Sequence, residues 1–395
     1  MPTKDEFVVT PYEVKGTIDY QRLKQLFGTQ DLTPALLDQI RQRAGGELHP
    51  LLARGIYFSH RDLGETLQKA ATGRPFFLYS GRGPSGPLHT SHLMPFELCR
   101  WLQKKFDAPM YIQITDDEKF WVREGLTREE TYRWGLDNLA DILALGFDPK
   151  RTRVFFDTRS IGAMYPLAVD VAKKVNFSTV KAVFGFSASQ NIGAIFYTAL
   201  QSVPCFWPSW YAGRAIPCLI PCGIDQDPHF RVTRDLAESL GYPKPAMLHS
   251  IMLPGLLGQR VMSTTGDTKD NAIFLEDRPK DVERKIKKAL TGGRATVEEQ
   301  RRLGAVPEIC SVWAQWRSKF AQDDAEFDEI TAGCRSGALL CGDCKSRLIV
   351  RVQDFLGEHA KRKEAVRSTA ESLILEGGER SDASGPVVRG EVPLP

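Results

Sequence analysis

Three constellations in the chain carry side chains able to do chemistry. The stretch 75–96, PFFLYSGRGPSGPLHTSHLMPF, reads as a buried strand from Pro75 to Tyr79, a Gly/Pro/Ser loop with one arginine, and a helix opening at His89. A glycine-rich turn ahead of a helix cradles anions, because free backbone N–H groups and the positive end of the helix dipole face whatever lies above it. Arg82 adds a forked donor suited to phosphate. His89 and His92, three apart, place both rings on one face of that helix; for the loop taken alone, a capping or metal-binding pair is the alternative. The stretch has neither the G-x-G-x-x-G of a dinucleotide fold nor the Lys-Ser/Thr of a P-loop. The second constellation is Asp116-Asp117-Glu118-Lys119, directly after an apolar run. Three carboxylates in a row are a solvated turn or a place for the Mg²⁺ of Mg-ATP. The third is Cys310, Cys334, Cys341 and Cys344, separated by 23, 6 and 2 residues. Four thiolates fit tetrahedral zinc or a [4Fe–4S] cluster; spacing does not choose between them, and free buried cysteines are the alternative.

These groups need a scaffold, and the hydrophobic pattern supplies one. Strand-like runs at 75–79, 110–115, 154–156 and 216–222 alternate with helical patterns at 90–105 and 128–145. That alternation predicts an α/β fold, a Rossmann-like doubly wound parallel sheet. Ligands of such sheets collect at the carboxyl ends of the strands, where Asp116 falls. Gly223-Ile224-Asp225-Gln226-Asp227 ends another apolar run, and a glycine beside a carboxylate suits a close approach to a ribose hydroxyl. Gln201 interrupts an apolar helical pattern and needs partners if buried. Phe184, Phe186, Phe196 and Tyr197 read as an aromatic core cluster.

The chain divides into an N-terminal extension over 1–74, an α/β domain over 75–278 whose least regular part is about 150–215, a helical domain over 279–377, and a disordered Gly/Ser/Pro tail over 378–395. Residues 8–14 read as a short strand or hairpin packed at the edge of the fold. Two amphipathic helices fill 19–45, and Ser59 stands where it could cap a third. The last long helical pattern, about 346–375, carries Ile349, Val352, Phe355 and Leu356 on one side. A basic patch, Arg284-Lys285-Ile286-Lys287-Lys288 with Arg294, is a solvated helix face or a contact for nucleic-acid phosphates.

With 395 residues, 42% hydrophobic and 26% charged, the composition is that of a globular protein. A net charge of +3 permits nucleic-acid contact without arguing for it. No apolar run is long enough to span a membrane, so no membrane partner is expected. Eight cysteines behind an N-terminus, MPTKDEF, without a signal-peptide core point to a reducing cytoplasm.

The histidine pair on its loop resembles the His-x-Gly-His motif of the class I aminoacyl-tRNA synthetases. Tyr79-x-Gly81-Arg82-Gly83-Pro84-Ser85, IQITDDEK (112–119), CLIPCGIDQDPHFRVTRD (218–235) and VMSTT (261–265) narrow the resemblance to the tryptophanyl enzymes of eukaryotic and archaeal type. It runs from about Val8 to the last long helix. The resemblance implies ATP-dependent charging of tRNA(Trp) with L-tryptophan, a catalytic domain over 75–278 with an insertion at about 150–215 that forms a homodimer, a lid over the site at residues 8–14 as the alternative to an edge strand, and a helical anticodon-binding domain over 279–377. It places catalysis on Arg82, His89, His92 and Ser263, and ATP on Gly81, Arg82, Gly83, His89, His92, Gly223, Asp225, Met262 and Ser263. Tyr79, Gln113 and Gln226 become candidates for the indole contact, with Thr115 facing the same pocket and Glu118 and Gln201 nearer the α-amino group. It also favours a [4Fe–4S] cluster over zinc at the four cysteines. Two positions depart from the family's pattern: Ser91 stands where it has glycine, and Val261 where it has lysine. Arg260 and Lys269 are the cations near enough to substitute. A tyrosyl enzyme and a non-catalytic paralogue that binds tRNA or nucleotide are the rival readings.

Overall fold

The computed structural model describes residues 7–9, 14–16, 18–258, 261–262, 269–377 and 388–389. At its centre is a seven-stranded sheet. In chain order the strands are β1 (Gln30–Asp31), β2 (Tyr57–Arg61), β3 (Phe77–Arg82), β4 (Met110–Ile114), β5 (Thr152–Phe156), β6 (Cys218–Gly223) and β7 (Ala246–Ser250). Across the sheet the order is β1-β2-β7-β6-β3-β4-β5. The five strands from β7 to β5 are parallel, and β2 and β1 extend one edge antiparallel. The fold is thus the expected Rossmann-like α/β arrangement, with an antiparallel edge drawn from the segment before residue 75. Ser59 lies inside β2 and contacts His249 Nδ1 at 3.1 Å, so it does not cap a helix.

Side chains of the parallel strands alternate between two cores. Leu78, Met110, Ile112 and Val154 join the larger one, while Phe77, Tyr79, Tyr111 and Phe155 join the other. Both faces are covered, which is why the strands read as continuous apolar runs. Helices α1 (Met94–Phe106), α2 (Asp116–Val122), α3 (Arg128–Leu143), α4 (Asp157–Lys174) and α5 (Ile192–Leu200) follow β3, β4 and β5. A capping box starts α3: Thr127 Oγ1 accepts from the Glu130 N–H at 3.1 Å, and the Glu130 carboxylate accepts from the Thr127 N–H at 2.9 Å.

The chain reverses its winding at β3, whose neighbours are β4 and β6. Pairing between β3 and β6 covers only Phe77 with Cys218 and Leu78 with Leu219. Pro221 ends it, since proline has no N–H to give the ladder; its carbonyl is met instead by the Ser80 hydroxyl at 3.3 Å. The two strands therefore part at their carboxyl ends, and the crevice of a doubly wound sheet opens there.

Past residue 279 the chain is helical, through α6 (Pro279–Lys288), Asp324–Ser336 and the 30-residue α7 (Cys341–Ala370). Leu348, Val352, Leu356 and His359 form the buried stripe of α7. The chain then returns to the sheet, where Leu375 N–H donates to Val154 O at 2.8 Å. Glu376–Gly377 pairs antiparallel with Val388–Arg389; the rest of the tail read as disordered lies outside the described residues. At the other terminus Val8–Val9 pairs with Val14–Lys15, and Val9 packs on Leu23 and Ile224. No helix among the described residues is long and apolar enough to cross a membrane.

Candidate active site

Arg82 closes β3, and its guanidinium is drawn into the protein by Asn138 of α3, whose Oδ1 accepts from Nε at 3.2 Å. The Asn138 amide also donates to Gly86 O at 3.1 Å, so one buried side chain holds both the arginine and the loop. Nη2 of Arg82 is buried and has no partner among the described residues. Burial lowers the guanidinium to about 10, which keeps it charged at neutral pH. A Cβ on Gly83 would sit 2.1 Å from Lys119 Cε, so a side chain there would displace the end of Lys119.

The histidines follow on a 3₁₀ turn, Thr90–Leu93, that leads into α1. Their rings stack with centroids 3.4 Å apart. His92 Nδ1 accepts from the His89 N–H at 3.1 Å, and His89 Nδ1 meets Ser91 Oγ at 2.7 Å. His89 Nε2 is buried without a partner among the described residues. Burial, reinforced by Arg82, pushes both imidazoles well below their ordinary value, so they are neutral. The segment after the second loop clasps this turn: Thr90 N–H donates to Ile273 O at 3.0 Å and Leu275 N–H to Leu88 O at 2.9 Å. Lys285, paired with Asp277 at 2.7 Å, supports the clasp by donating to Ala272 O.

Beside the cradle lies a chain of hydrogen bonds that all run one way. Tyr197 O–H donates to Gln201 Oε1, and Gln201 Nε2 donates to the Tyr79 hydroxyl at 2.7 Å. Tyr79 O–H donates to Gln113 Oε1, and Gln113 Nε2 donates to both carboxyl oxygens of Asp157 at 2.9 and 3.0 Å. The run Asp116-Asp117-Glu118 is not a solvated turn. Asp116 accepts from Thr158 N–H at 3.1 Å, Asp117 from Glu118 N–H at 2.6 Å, and Glu118 from Thr115 Oγ1 at 2.9 Å and Lys119 at 2.8 Å. Burial would raise Glu118, but Lys119 outweighs it and keeps the carboxylate ionised. Asp117, raised to about 7 chiefly by burial, hydrogen-bonds Asp157, which burial raises further, so the pair shares a proton. With these oxygens committed, no Mg²⁺ site forms there: among the described residues no group of three His, Cys, Asp or Glu side chains is placed to hold a metal.

Across the crevice, Asp225 and Gln226 sit on a 3₁₀ turn after β6, with Gln226 Nε2 donating to Asp225 Oδ2 at 2.7 Å. A Cβ on Gly223 would fall 2.3 Å from Asp225 Oδ1 and would displace that carboxylate. Met262 is buried against Ala272 and Phe274, and Val261 bridges Pro254. Ser263 and Arg260 lie outside the described residues; Lys269 is exposed.

The expected metal at Cys310, Cys334, Cys341 and Cys344 is corrected by the structure. The thiols share one neighbourhood, close enough to raise one another. They do not converge as a ligand set, so the expectation of a [4Fe–4S] cluster, or of zinc, is withdrawn. Their sulfurs serve local hydrogen bonds: Cys310 Sγ accepts from Trp313 N–H at 3.3 Å, and Cys341 Sγ donates to Gln300 Oε1 at 3.4 Å. Burial lifts Cys334 to about 11 and Cys344 to about 12, whereas the thiolate is the metal-binding form.

Three residues of the site escaped the sequence reading. Asp157 follows β5 directly, so the strand-end rule that singled out Asp116 applied to it equally. Asn138 is a polar residue on the buried face of α3. Tyr197 passed as core because nothing in the sequence shows where its hydroxyl points.

A charged, partly unsatisfied cradle thus lies at the switch point of a doubly wound sheet, with stacked histidines beside it, the place where such sheets take their ligands. The family model "tRNA synthetases class I (W and Y)" matches residues 71–357. The tryptophan–tRNA ligase of Pyrobaculum calidifontis is 47% identical over 371 residues, 94% of this chain and 98% of that protein. Among solved structures, the tryptophanyl-tRNA synthetase of Plasmodium falciparum superposes with a TM-score of 0.85 at 34% identity, over 90% of this chain and 97% of that one. That of the archaeon Aeropyrum pernix gives 0.82 at 35% identity, over 90% and 96%. The chain belongs to the tryptophanyl-tRNA ligases of archaeal and eukaryotic type.

Proposed function

We propose that the chain joins L-tryptophan to tRNA(Trp) at the expense of ATP. A carboxylate oxygen of tryptophan attacks the α-phosphorus of Mg-ATP, the bond to the bridging oxygen breaks, and pyrophosphate leaves. The 2′-hydroxyl of the terminal adenosine then attacks the adenylate carbonyl and AMP departs. The protein's part is to hold the reactants in line and to meet the charge that grows on phosphate. Arg82 Nη2 and His89 Nε2 are the observation that carries this reading: two buried polar atoms, at the end of β3 and at the head of the turn that follows, without partners among the described residues. Buried groups of this kind wait for a ligand, and an α-phosphate offers the acceptors they lack. His92 and Ser263 act with them. Gly81 and Gly83 let the nucleotide approach, Asp225 takes the ribose, and Gly223 and Met262 line its bed. Tyr79, Gln113 and Gln226 receive the indole, Thr115 borders its pocket, and Glu118 and Gln201 attend the ammonium group.

The helical part beyond residue 279 binds the anticodon; Lys285 of the basic run is buried against Asp277, and the exposed Arg284, Lys287 and Lys288 meet tRNA phosphates. Exposed Tyr165, Val169, Phe177, Ile192 and Tyr211 all fall within the insertion, and these exposed apolar side chains support a homodimer through it. The chemistry is tested by pyrophosphate exchange with tryptophan or tyrosine, followed by charging of tRNA(Trp). Exchange with tyrosine alone, or none with either, overturns the proposal.

A further inference from the structure

A recognition site is only as selective as the direction of its hydrogen bonds. Gln113 is wholly buried in β4, and an amide in that place could face its pocket with either end. Asp157 removes the choice. Its carboxyl group, at the start of α4, takes Gln113 Nε2 at 2.9 and 3.0 Å. Oε1 is therefore turned to Tyr79, whose proton it accepts. Tyr79, having given its proton to Gln113, can only accept from Gln201 Nε2, at 2.7 Å, and Gln201 Oε1 is left to accept from Tyr197. Each member gives a proton toward Asp157 and takes one from behind. What remains on the Tyr79 oxygen and on Gln113 Oε1 is then lone pairs only, so these two atoms can accept from a donor and offer none.

The geometry points to Asp157 as a specificity-determining positioning residue, which fixes the polarity of the Tyr197–Gln201–Tyr79–Gln113 chain so that the pocket accepts a side chain bearing an N–H and rejects its isostere without one. The inference rests on the tryptophan reading above. Asp157 does not touch the amino acid in this scheme; it acts through Gln113. Asp117 completes the arrangement from the other side, hydrogen-bonded to Asp157. An asparagine at 157 keeps the same sense, with a carbonyl toward Gln113 and an N–H toward Asp117. Alanine or cysteine supplies no comparable acceptor and frees the amide to turn.

The test compares tryptophan with β-(3-benzothienyl)alanine, in which sulfur replaces the indole N–H, by pyrophosphate exchange on the full chain. Exchange by the parent with tryptophan tests the functional reading; the ratio of kcat/KM for the two amino acids tests this inference. Sites built around a buried polar contact reject the analogue lacking it by as much as ~10⁴–10⁵-fold. Asp157→Asn is expected to keep the parental ratio within about threefold, and Asp157→Ala to lower it by ~10- to 100-fold, through loss with tryptophan more than with the analogue. Asp157→Cys, closer in size, is expected to follow alanine and carries the test should the alanine variant not fold. Equal losses with both amino acids, leaving the ratio at its parental value, would mean a merely structural role and overturn the proposal. So would a collapse of the ratio in Asp157→Asn.

Discussion

Asn138 is the residue whose removal most directly tests how the phosphate cradle is built. It is buried on α3, accepts from Arg82 Nε at 3.2 Å and donates to Gly86 O at 3.1 Å. Asn138→Ala takes a charge-assisted hydrogen bond from the arginine, worth about 1.5–3 kcal/mol, and strands a backbone carbonyl at about 1 kcal/mol. The two are not additive, because the loop relaxes once Gly86 is freed. About 2–3 kcal/mol of this reaches the step in which charge grows on the α-phosphate. At 1.36 kcal/mol per decade, kcat for tryptophan-dependent pyrophosphate exchange falls roughly 30- to 160-fold, with KM for tryptophan little changed. Asp137→Ala, one residue earlier on the same helix, is the control. Asp137 pairs with Lys363 at 2.8 Å and Arg367 at 3.3 Å, partly exposed, so its loss costs at most about 1 kcal/mol of stability and leaves kcat within about twofold. If Asn138→Ala retains kcat within about threefold of the parent, or if its defect is confined to KM for tryptophan, Arg82 is not held for catalysis in the way described.

Further expectations follow from the same geometry. Ser91→Ala leaves His89 with neither ring nitrogen bonded and should lower exchange about tenfold; a gain would show instead that the serine crowds the nucleotide. Val261→Lys, which restores a cation to the second loop, should raise kcat about 3- to 10-fold, and an unaltered rate would end that account of the loop. Because Asp117 is raised to about 7, the folded state binds more protons there than the unfolded chain between roughly pH 4 and 7. Its contribution to stability is therefore present below that window and is lost as pH rises through it. The melting temperature of Asp117→Asn should gain on the parent by several degrees between about pH 4 and 7, and parallel curves would refute the shared proton. Gly292→Ala would place a Cβ 1.8 Å from Val306 O, a backbone atom that cannot step aside, so thermal unfolding should show a loss of roughly 2 kcal/mol or more.

Among the parallel strands, β7, Ala246–Ser250, went unread because His249 and Ser250 break its apolar run. The other four were legible because each is buried on both faces and reads as an apolar run closed by glycine or a carboxylate. The antiparallel edge was not: β1 has two residues and β2, Tyr57–Arg61, carries a histidine and an arginine, a pattern that tertiary pairing with β7 overrides. The cradle could be placed from the sequence because glycine, arginine and a helix start have fixed consequences for a backbone. Side-chain direction has no such local signal. Tyr197 and Asp157 belong to one directed chain only because β3, β4, β5 and α5 bring their ends together, and periodicity assigns a residue to a face without saying which way its dipole runs. The four cysteines show the reverse failure. Their spacing is local and suggestive, yet ligation needs four sulfurs to converge, and Cys310, ahead of its own short helix, instead receives Trp313 N–H while Cys341 turns to Gln300. Spacing constrains which residues can meet. Whether they meet as ligands, or their dipoles align, depends on packing that the sequence encodes only through the whole fold.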